Sequence, residues 1–218
     1  MPDKIRLPNS SQRITIVGRT GSGKTIASLW HLSLQNFTSR PWVILDFKTD
    51  ENINAIDRAQ HIKLTETPKR PGIYVVHPIP SQKEEVTDFL WKIWERENAG
   101  IYVDEGYMLG ADPAFEACLT QGRSKHIPMI VLTQRPAWIS RYAFSEADFF
   151  QIFHLNDKRD RKTVELFVPA DLDARLPDYY SRYYDVGSNQ LVTFSPVPEP
   201  SQTLQVIGER LRTRKRII

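Results

Sequence analysis

The octapeptide GRTGSGKT, Gly18 to Thr25, constrains this chain more than any other stretch, because it fits G-x-x-x-x-G-K-[ST] without a mismatch. It also lies where that pattern has a mechanism. RITIV before it is a β-branched run, and TIASLWHLSLQNF, which starts at Thr25, carries apolar residues at helical spacing. Glycines at 18, 21 and 23 let the backbone turn tightly and aim its N–H groups at phosphate oxygens, while the following helix sets its positive end on the same anion. The predicted cradle is the whole loop: Gly18, Arg19, Thr20, Gly21, Ser22, Gly23, Lys24 and Thr25. Lys24 is expected to reach the β- and γ-phosphates, and Thr25 to offer its hydroxyl to Mg²⁺.

The rest of the chain alternates strand and helix patterns. PWVILDF (41–47), IYVVH (73–77), IYVDE (101–105), PMIVLTQ (128–134) and FFQIFHL (149–155) read as strands. EEVTDFLWKIWEREN reads as an amphipathic helix with Phe89, Leu90, Ile93 and Trp94 on its apolar face and its two tryptophans in the core, and a further helix is expected around Phe115 to Leu119. This order predicts an α/β fold: a mostly parallel P-loop NTPase sheet with helices on both faces. Beyond Leu155 the pattern changes to a charged helix, NDKRDRKTVELF, then to YYSRYYDV and QLVTF flanking GSN like a hairpin. We expect one domain over 1–218, with a core over about 13–155 and a C-terminal hairpin and helix appendage over about 156–218.

Composition narrows the class. The 218 residues are 40% hydrophobic and 25% charged, which excludes wholesale disorder and collagen-like repeats. The single cysteine, Cys118, forms no internal disulfide or metal clamp and sits in AFEACL as a small buried hydrophobe. The N-terminus, MPDKIRLPNSSQR, lacks the apolar core of a signal peptide, and no apolar stretch approaches the roughly 20 residues that span a bilayer, so no integral membrane segment is expected. With 29 Lys+Arg against 26 Asp+Glu, net charge is only +3, and any polyanion contact must be local.

IYVDE supplies the chemistry that complements the loop. An apolar strand ending in two acids delivers Asp104 to the carboxyl edge of a parallel sheet, where ligands collect, and Asp104 is the predicted magnesium holder. Glu105 is the candidate to orient and deprotonate an attacking water. A kinase needs no such acid, so Glu105 points to hydrolysis. Gln134 follows MIVLT to the same edge, where its amide can touch both γ-phosphate and water.

GRTGSGKT, VILDFKTD, the acid pair of IYVDE and above all GRSKHIPMIVLTQRP resemble the FtsK/HerA superfamily of DNA-pumping ATPases. Within it the chain is most similar to genome-packaging ATPases of tailless icosahedral viruses with an internal membrane. The resemblance covers roughly 13–155, and its most specific part is Thr133, Gln134, Arg135 and Pro136, which look like the superfamily's sensor segment. Asp46 and Lys48 resemble its D-x-K after the second strand, a support of the nucleotide site.

The resemblance implies an ATP- and Mg²⁺-dependent motor that translocates double-stranded DNA, working as a ring hexamer in the host cytoplasm or with the virion. A capsid-vertex or portal-like protein is a further implied partner. Such rings complete each site with an arginine from the neighbour. A strand over 128–133 is about 20 Å long at about 3.3 Å per residue, which puts Arg123 at the edge opposite its own phosphate loop. Arg123 is therefore the candidate trans finger, with Arg141 as rival and a structural salt bridge as the alternative for each. Lys158, Arg159, Arg161 and Lys162 are DNA-phosphate candidates, with a solvated helix face as the other reading. Trp138 and Tyr179, Tyr180, Tyr183 and Tyr184 offer stacking surfaces or core packing, and the basic tail ERLRTRKRII fits a helix end or a nucleic-acid contact. A morphogenesis or secretion ATPase of the same superfamily, or a nucleotide-dependent regulatory or partitioning switch, is the competing function.

Overall fold

Strands that are apolar at every position can be satisfied only in a sheet covered on both faces, and the computed structural model, which describes residues 5–212, has that arrangement. β1 (Arg13–Val17), β2 (Pro41–Asp46), β3 (Gln60–His61), β4 (Gly72–Val76), β5 (Gly100–Asp104), β6 (Met129–Thr133) and β7 (Phe149–Ile152) pair in parallel. β8 (Ser181–Asp185) and β9 (Gln190–Phe194) continue the same sheet in antiparallel register. The strand order is β3-β4-β2-β5-β6-β1-β7-β8-β9. β1 therefore lies near the middle, one strand removed from β5.

The pleat divides the core. On one face Ile14, Ile16, Ile44, Tyr102, Ile130 and Leu132 pack with α1 (Lys24–Ser33), α2 (Glu51–Asn54) and α7 (Pro200–Arg212). On the other, Val17, Val43, Ile101, Val103 and Val131 meet α3 (Lys83–Arg96), α4 (Pro113–Gln121), α5 (Tyr142–Ser145) and α6 (Lys158–Glu165). Cys118 is fully buried in α4, and burial pushes its thiol up to about 12, so it packs as a hydrophobe.

Several expectations need correction. The strands end earlier than their apolar runs: β7 stops at Ile152, leaving Phe153 to Leu155 as a connector, and β6 stops at Thr133. The tryptophan pair of α3 rims the core instead of filling it. Trp91 and Trp94 are half-buried, and the Lys125 ammonium sits 3.8 Å over the Trp94 ring. β3, α2 and α5 have two to four residues, too short to show a period, and went unpredicted. Tyr183 and Tyr184 are buried, which leaves only Tyr179 and Tyr180 of the four with exposed surface. Among the described residues no helix is long and apolar enough to cross a membrane. Of the basic tail, Glu209 to Arg212 complete α7, and residues 213–218, like residues 1–4 at the other end, lie outside the described residues.

The hairpin is stapled to the N-terminal segment. Arg6 donates two hydrogen bonds of 2.7 Å each to the buried Asp185 carboxylate, holding that carboxyl down to about 2. A carboxyl lowered by folding stabilises the fold above its unfolded pKa of about 3.9, and that contribution disappears as the pH falls toward about 2. Arg6→Ala is thus expected to lower the urea midpoint at pH 7, with the gap from wild type closing below about pH 4. A gap that persists unchanged at pH 2 would assign the effect to packing instead of charge.

Candidate active site

The phosphate loop is a strand-to-helix turn pinned at both sides. The Gly18 N–H donates to the Thr133 carbonyl at 3.4 Å, and the Arg19 N–H donates to the His154 carbonyl at 2.8 Å, so the ends of β6 and β7 clamp it. Gly21 at φ 74° and Gly23 at φ 95° occupy backbone conformations that side chains oppose, and Gly23 caps α1. A Cβ on Gly18 would lie 2.6 Å from Phe153 Cβ and 2.7 Å from Ser22 Oγ. With a residue of any other type there, the loop and the strand end behind it must move apart.

Lys24 is buried and donates to the Arg19 carbonyl at 2.9 Å. Burial first and the nearby Lys48 second lower its pKa, with Asp104 opposing both, to about 8. Thr25 opens the first turn of α1. The helix is fixed relative to the acid strand by a buried 2.6 Å hydrogen bond between Ser28 Oγ and the Tyr102 hydroxyl. A buried polar chain ties it to the other side: His31 Nε2 meets Gln151 Oε1 at 2.9 Å, and Gln151 donates to Ser181 Oγ at 3.0 Å. Burial lowers His31 to about 4, so it is neutral at pH 7.

The acids stand at the same carboxyl edge. Asp104 pairs in register with Asp46, and both side chains are buried. Burial is the main cause that pushes Asp104 up to about 6, and its Oδ2 has no hydrogen-bond partner among the described residues. Asp46 is better satisfied, accepting from the Lys48 and Asp50 amides at 3.1 and 2.9 Å, with His77 Nδ1 3.3 Å away. Glu105 is buried at φ 64°, a strained left-handed backbone for a residue with a side chain. The following Gly106 has no room for a Cβ, which would meet Ile139 Cδ1 at 2.6 Å. The strand thus turns sharply after Asp104 and folds Glu105 back against the sheet. One Glu105 oxygen takes an ion pair from Lys48, and the other is buried without a partner.

Between these two halves runs β6. Gln134 stands at its end and accepts a hydrogen bond from the Thr20 hydroxyl of the phosphate loop. Sequence reasoning assigned Gln134 to this edge but not to this contact. It also gave Lys48 only a supporting role, and three-dimensional pairing was needed to bring it to Glu105.

Mg²⁺ held jointly with phosphate oxygens takes hard oxygen ligands, and the Thr25 hydroxyl and the buried Asp104 carboxylate are of that kind. Thr25 and Asp104 are the protein ligands it would use. The unpartnered Asp104 Oδ2 is the observation that supports this fit.

The other candidates lie outside the pocket. Arg123 is at the amino edge, as its strand length required, and its exposed guanidinium pairs with Asp148 at 2.7 Å. Arg141 lies over the Phe167 ring at 5.3 Å. Arg161 leaves the set of DNA candidates: Asp173 and the carbonyls of Leu155 and Asn156 occupy its guanidinium, and the side chain is only 17% exposed. Lys162 pairs with Glu165 at 2.9 Å, while Lys158 and Arg159 make no salt bridge among the described residues. Trp138 is 66% exposed.

With this geometry in place, the chain compares closely with a curated viral protein. It is 50% identical over 212 residues to the DNA packaging ATPase P9 of Enterobacteria phage PRD1, covering 92% of this chain and 93% of that protein. The chain belongs to this family of viral DNA-packaging ATPases. No protein-family description matches it. The fold of this family member is shared more widely. The genome packaging NTPase B204 from Sulfolobus turreted icosahedral virus 2, solved with AMPPCP, superposes with a TM-score of 0.70 at 18% identity over 87% of this chain and all of that one. EssC ATPases 2 and 3 from Geobacillus thermodenitrificans superpose with a TM-score of 0.68 at 13% identity over 95% of this chain and 45% of theirs.

Gly18→Ala tests the loop geometry. Overpacking of this kind costs about 1–3 kcal/mol, so ATP affinity measured by calorimetry is expected to fall about tenfold while the helical and strand content persists. Undiminished affinity would show that Phe153 does not set the loop.

Proposed function

We propose that this chain is an Mg²⁺-dependent ATPase that drives double-stranded DNA into a viral capsid. The observation that carries the proposal is the convergence at one sheet edge of a complete phosphate loop, Gln134 and the Asp104–Glu105 pair. Family membership supports the DNA cargo.

The loop amides and Lys24 hold the phosphates and take up negative charge that develops on the γ-phosphoryl group. Thr25 and Asp104 would hold a magnesium ion there, which would supply further charge neutralisation to the phosphates. Glu105 accepts a proton from water as the water oxygen bonds to the γ-phosphorus and the bond to the β-phosphate oxygen breaks, leaving ADP and phosphate. Gln134 bridges loop and water. Lys48 must release Glu105 before that carboxylate can act, and the triphosphate offers Lys48 an alternative anion. Arg123 serves a neighbour's γ-phosphate in a hexameric ring, with Arg141 as the other candidate. Lys158, Arg159 and Lys162 contact DNA phosphates. The ring works in the host cytoplasm or with the virion, against a capsid-vertex or portal-like protein.

ATPase activity is expected to rise with duplex DNA in wild type and to vanish in Lys24→Ala. Turnover indifferent to duplex DNA would favour a nucleotide switch over a motor.

Glu105→Gln keeps the shape and removes the base. Single-turnover assays should show ATP bound with hydrolysis at least about a hundredfold slower, and near-normal turnover would assign the base elsewhere.

Arg123→Ala should bind ATP yet lose about 10³ to 10⁵ in rate if its guanidinium completes a neighbour's site. Mixed rings with Lys24→Ala subunits should then regain part of the activity. Mixed assembly without rescue would leave Arg123 to its bridge with Asp148.

A further inference from the structure

The turn that follows β2 is held in a strained form. Thr49 sits at φ 57°, a left-handed conformation that a β-branched residue strongly disfavours. Such backbone persists only where its surroundings over-determine it, and here the turn is tied at both ends. At the start, the buried Asp46 carboxylate accepts from the Lys48 amide at 3.1 Å through Oδ1 and from the Asp50 amide at 2.9 Å through Oδ2. At the end, Asp50 caps α2 by accepting from the Asn52 amide at 2.9 Å. Between them Phe47 packs against the core. This turn presents Lys48, whose ammonium pairs with Glu105 although 39% of the lysine side chain is exposed.

Asp46 has one more neighbour. His77, just past the end of β4, places Nδ1 3.3 Å from Asp46 Oδ2. That nitrogen is buried and makes no aligned hydrogen bond among the described residues, so the Asp46 carboxylate is the acceptor within its reach. The other ring nitrogen, Nε2, meets Nδ1 of the exposed His61 at 3.2 Å, and the two rings stack with centroids 5.4 Å apart. β3 brings His61 there by pairing with β4. In a neutral imidazole one nitrogen donates and the other accepts. A carboxylate facing Nδ1 places the His77 proton on that nitrogen, and His61 then donates to Nε2.

We propose that His77 is a positioning residue for ATP hydrolysis: through Asp46 it holds the 46–50 turn so that Lys48 is delivered to the γ-phosphate end of the site. The inference rests on the role given above to Lys48 beside Glu105, and adds what fixes that lysine from outside the pocket. β2 separates the His77 strand from the acid strand, so His77 acts by way of Asp46. Lys48 has two anions to serve, Glu105 before ATP binds and the triphosphate afterwards. A turn fixed at its backbone lets the ammonium swing from one to the other and keep its aim. A turn that loosens spreads the lysine over geometries that serve neither.

Steady-state kinetics of the full chain with Mg-ATP and duplex DNA test this. His77→Ala should lower kcat about tenfold, short of the roughly hundredfold that a misplacement of about 1 Å can cost. KM for ATP should stay unchanged, because the phosphate loop is untouched. His77→Leu, which fills the site and donates nothing, should match His77→Ala, while His77→Asn, whose amide stands near the Nδ1 position, should recover most of the loss. In a Lys48→Ala background His77→Ala should slow turnover no further, since both changes remove the same placement. Undiminished kcat in His77→Ala and His77→Leu, a loss expressed as a raised KM, no recovery in His77→Asn, or full additivity with Lys48→Ala would each overturn the assignment. A merely structural histidine predicts that additivity. Lys48→Ala with unimpaired kcat would instead remove the Lys48 reading and this inference with it.

Discussion

Two lysines and three carboxylates share the dry carboxyl edge of the sheet, and their mutual balance is the constraint on which the rest of the structure depends. Lys24, Asp46, Asp104 and Glu105 are buried, and burial moves Lys24 downward and Asp104 upward. The balance is incomplete. Ser22 Oγ, Asp104 Oδ2 and one Glu105 oxygen are buried without partners, each at a typical cost of about 1–3 kcal/mol. Such a cluster persists only where the surroundings hold it in place, and the apolar sheet supplies that hold from both faces. A phosphate and a hard cation are the partners that would complete it.

Strand order converts this local problem into a machine. Because β6 lies between the loop strand and the acid strand, Gln134 emerges between the two and touches Thr20. The buried Ser28–Tyr102 hydrogen bond ties α1 to β5, the strand that carries the acid pair. On the other side, the His31–Gln151–Ser181 chain carries the same helix to the antiparallel strands. One helix is thus braced to the acid strand and to the antiparallel strands by different polar contacts.

Neither candidate finger arginine enters its own chain's pocket. Arg123 is at the amino edge with Asp148, and Arg141 lies on Phe167. That position suits a role between subunits and equally suits a structural pair, which is why mixing subunits, and not geometry within one chain, discriminates. The basic helix α6 sits beside the segment that follows β6, where Asp160 accepts from the Ala137 amide at 2.9 Å. Its cations are already partly committed, leaving Lys158 and Arg159 as the freest of the four.

The positions of the phosphate loop, the acid pair and Gln134 were legible in the sequence because each follows or ends a contiguous apolar strand, and a parallel sheet brings all such ends to one edge. The buried status of Cys118 and the alternation of strand and helix were legible for the same local reason. The Lys48–Glu105 pair, the Thr20–Gln134 contact and the loss of Arg161 to Asp173 were not, since they join residues 57, 114 and 12 positions apart whose side chains carry no shared period. Tyr179 and Tyr183 show the limit most plainly. They sit in one tyrosine-rich run, yet strand pairing buries Tyr183 while a left-handed turn leaves Tyr179 over Gly23. Local sequence determined which residues reach the edge; tertiary packing decided which of them meet, because a contact across strands depends on register and strand order, which no single segment encodes.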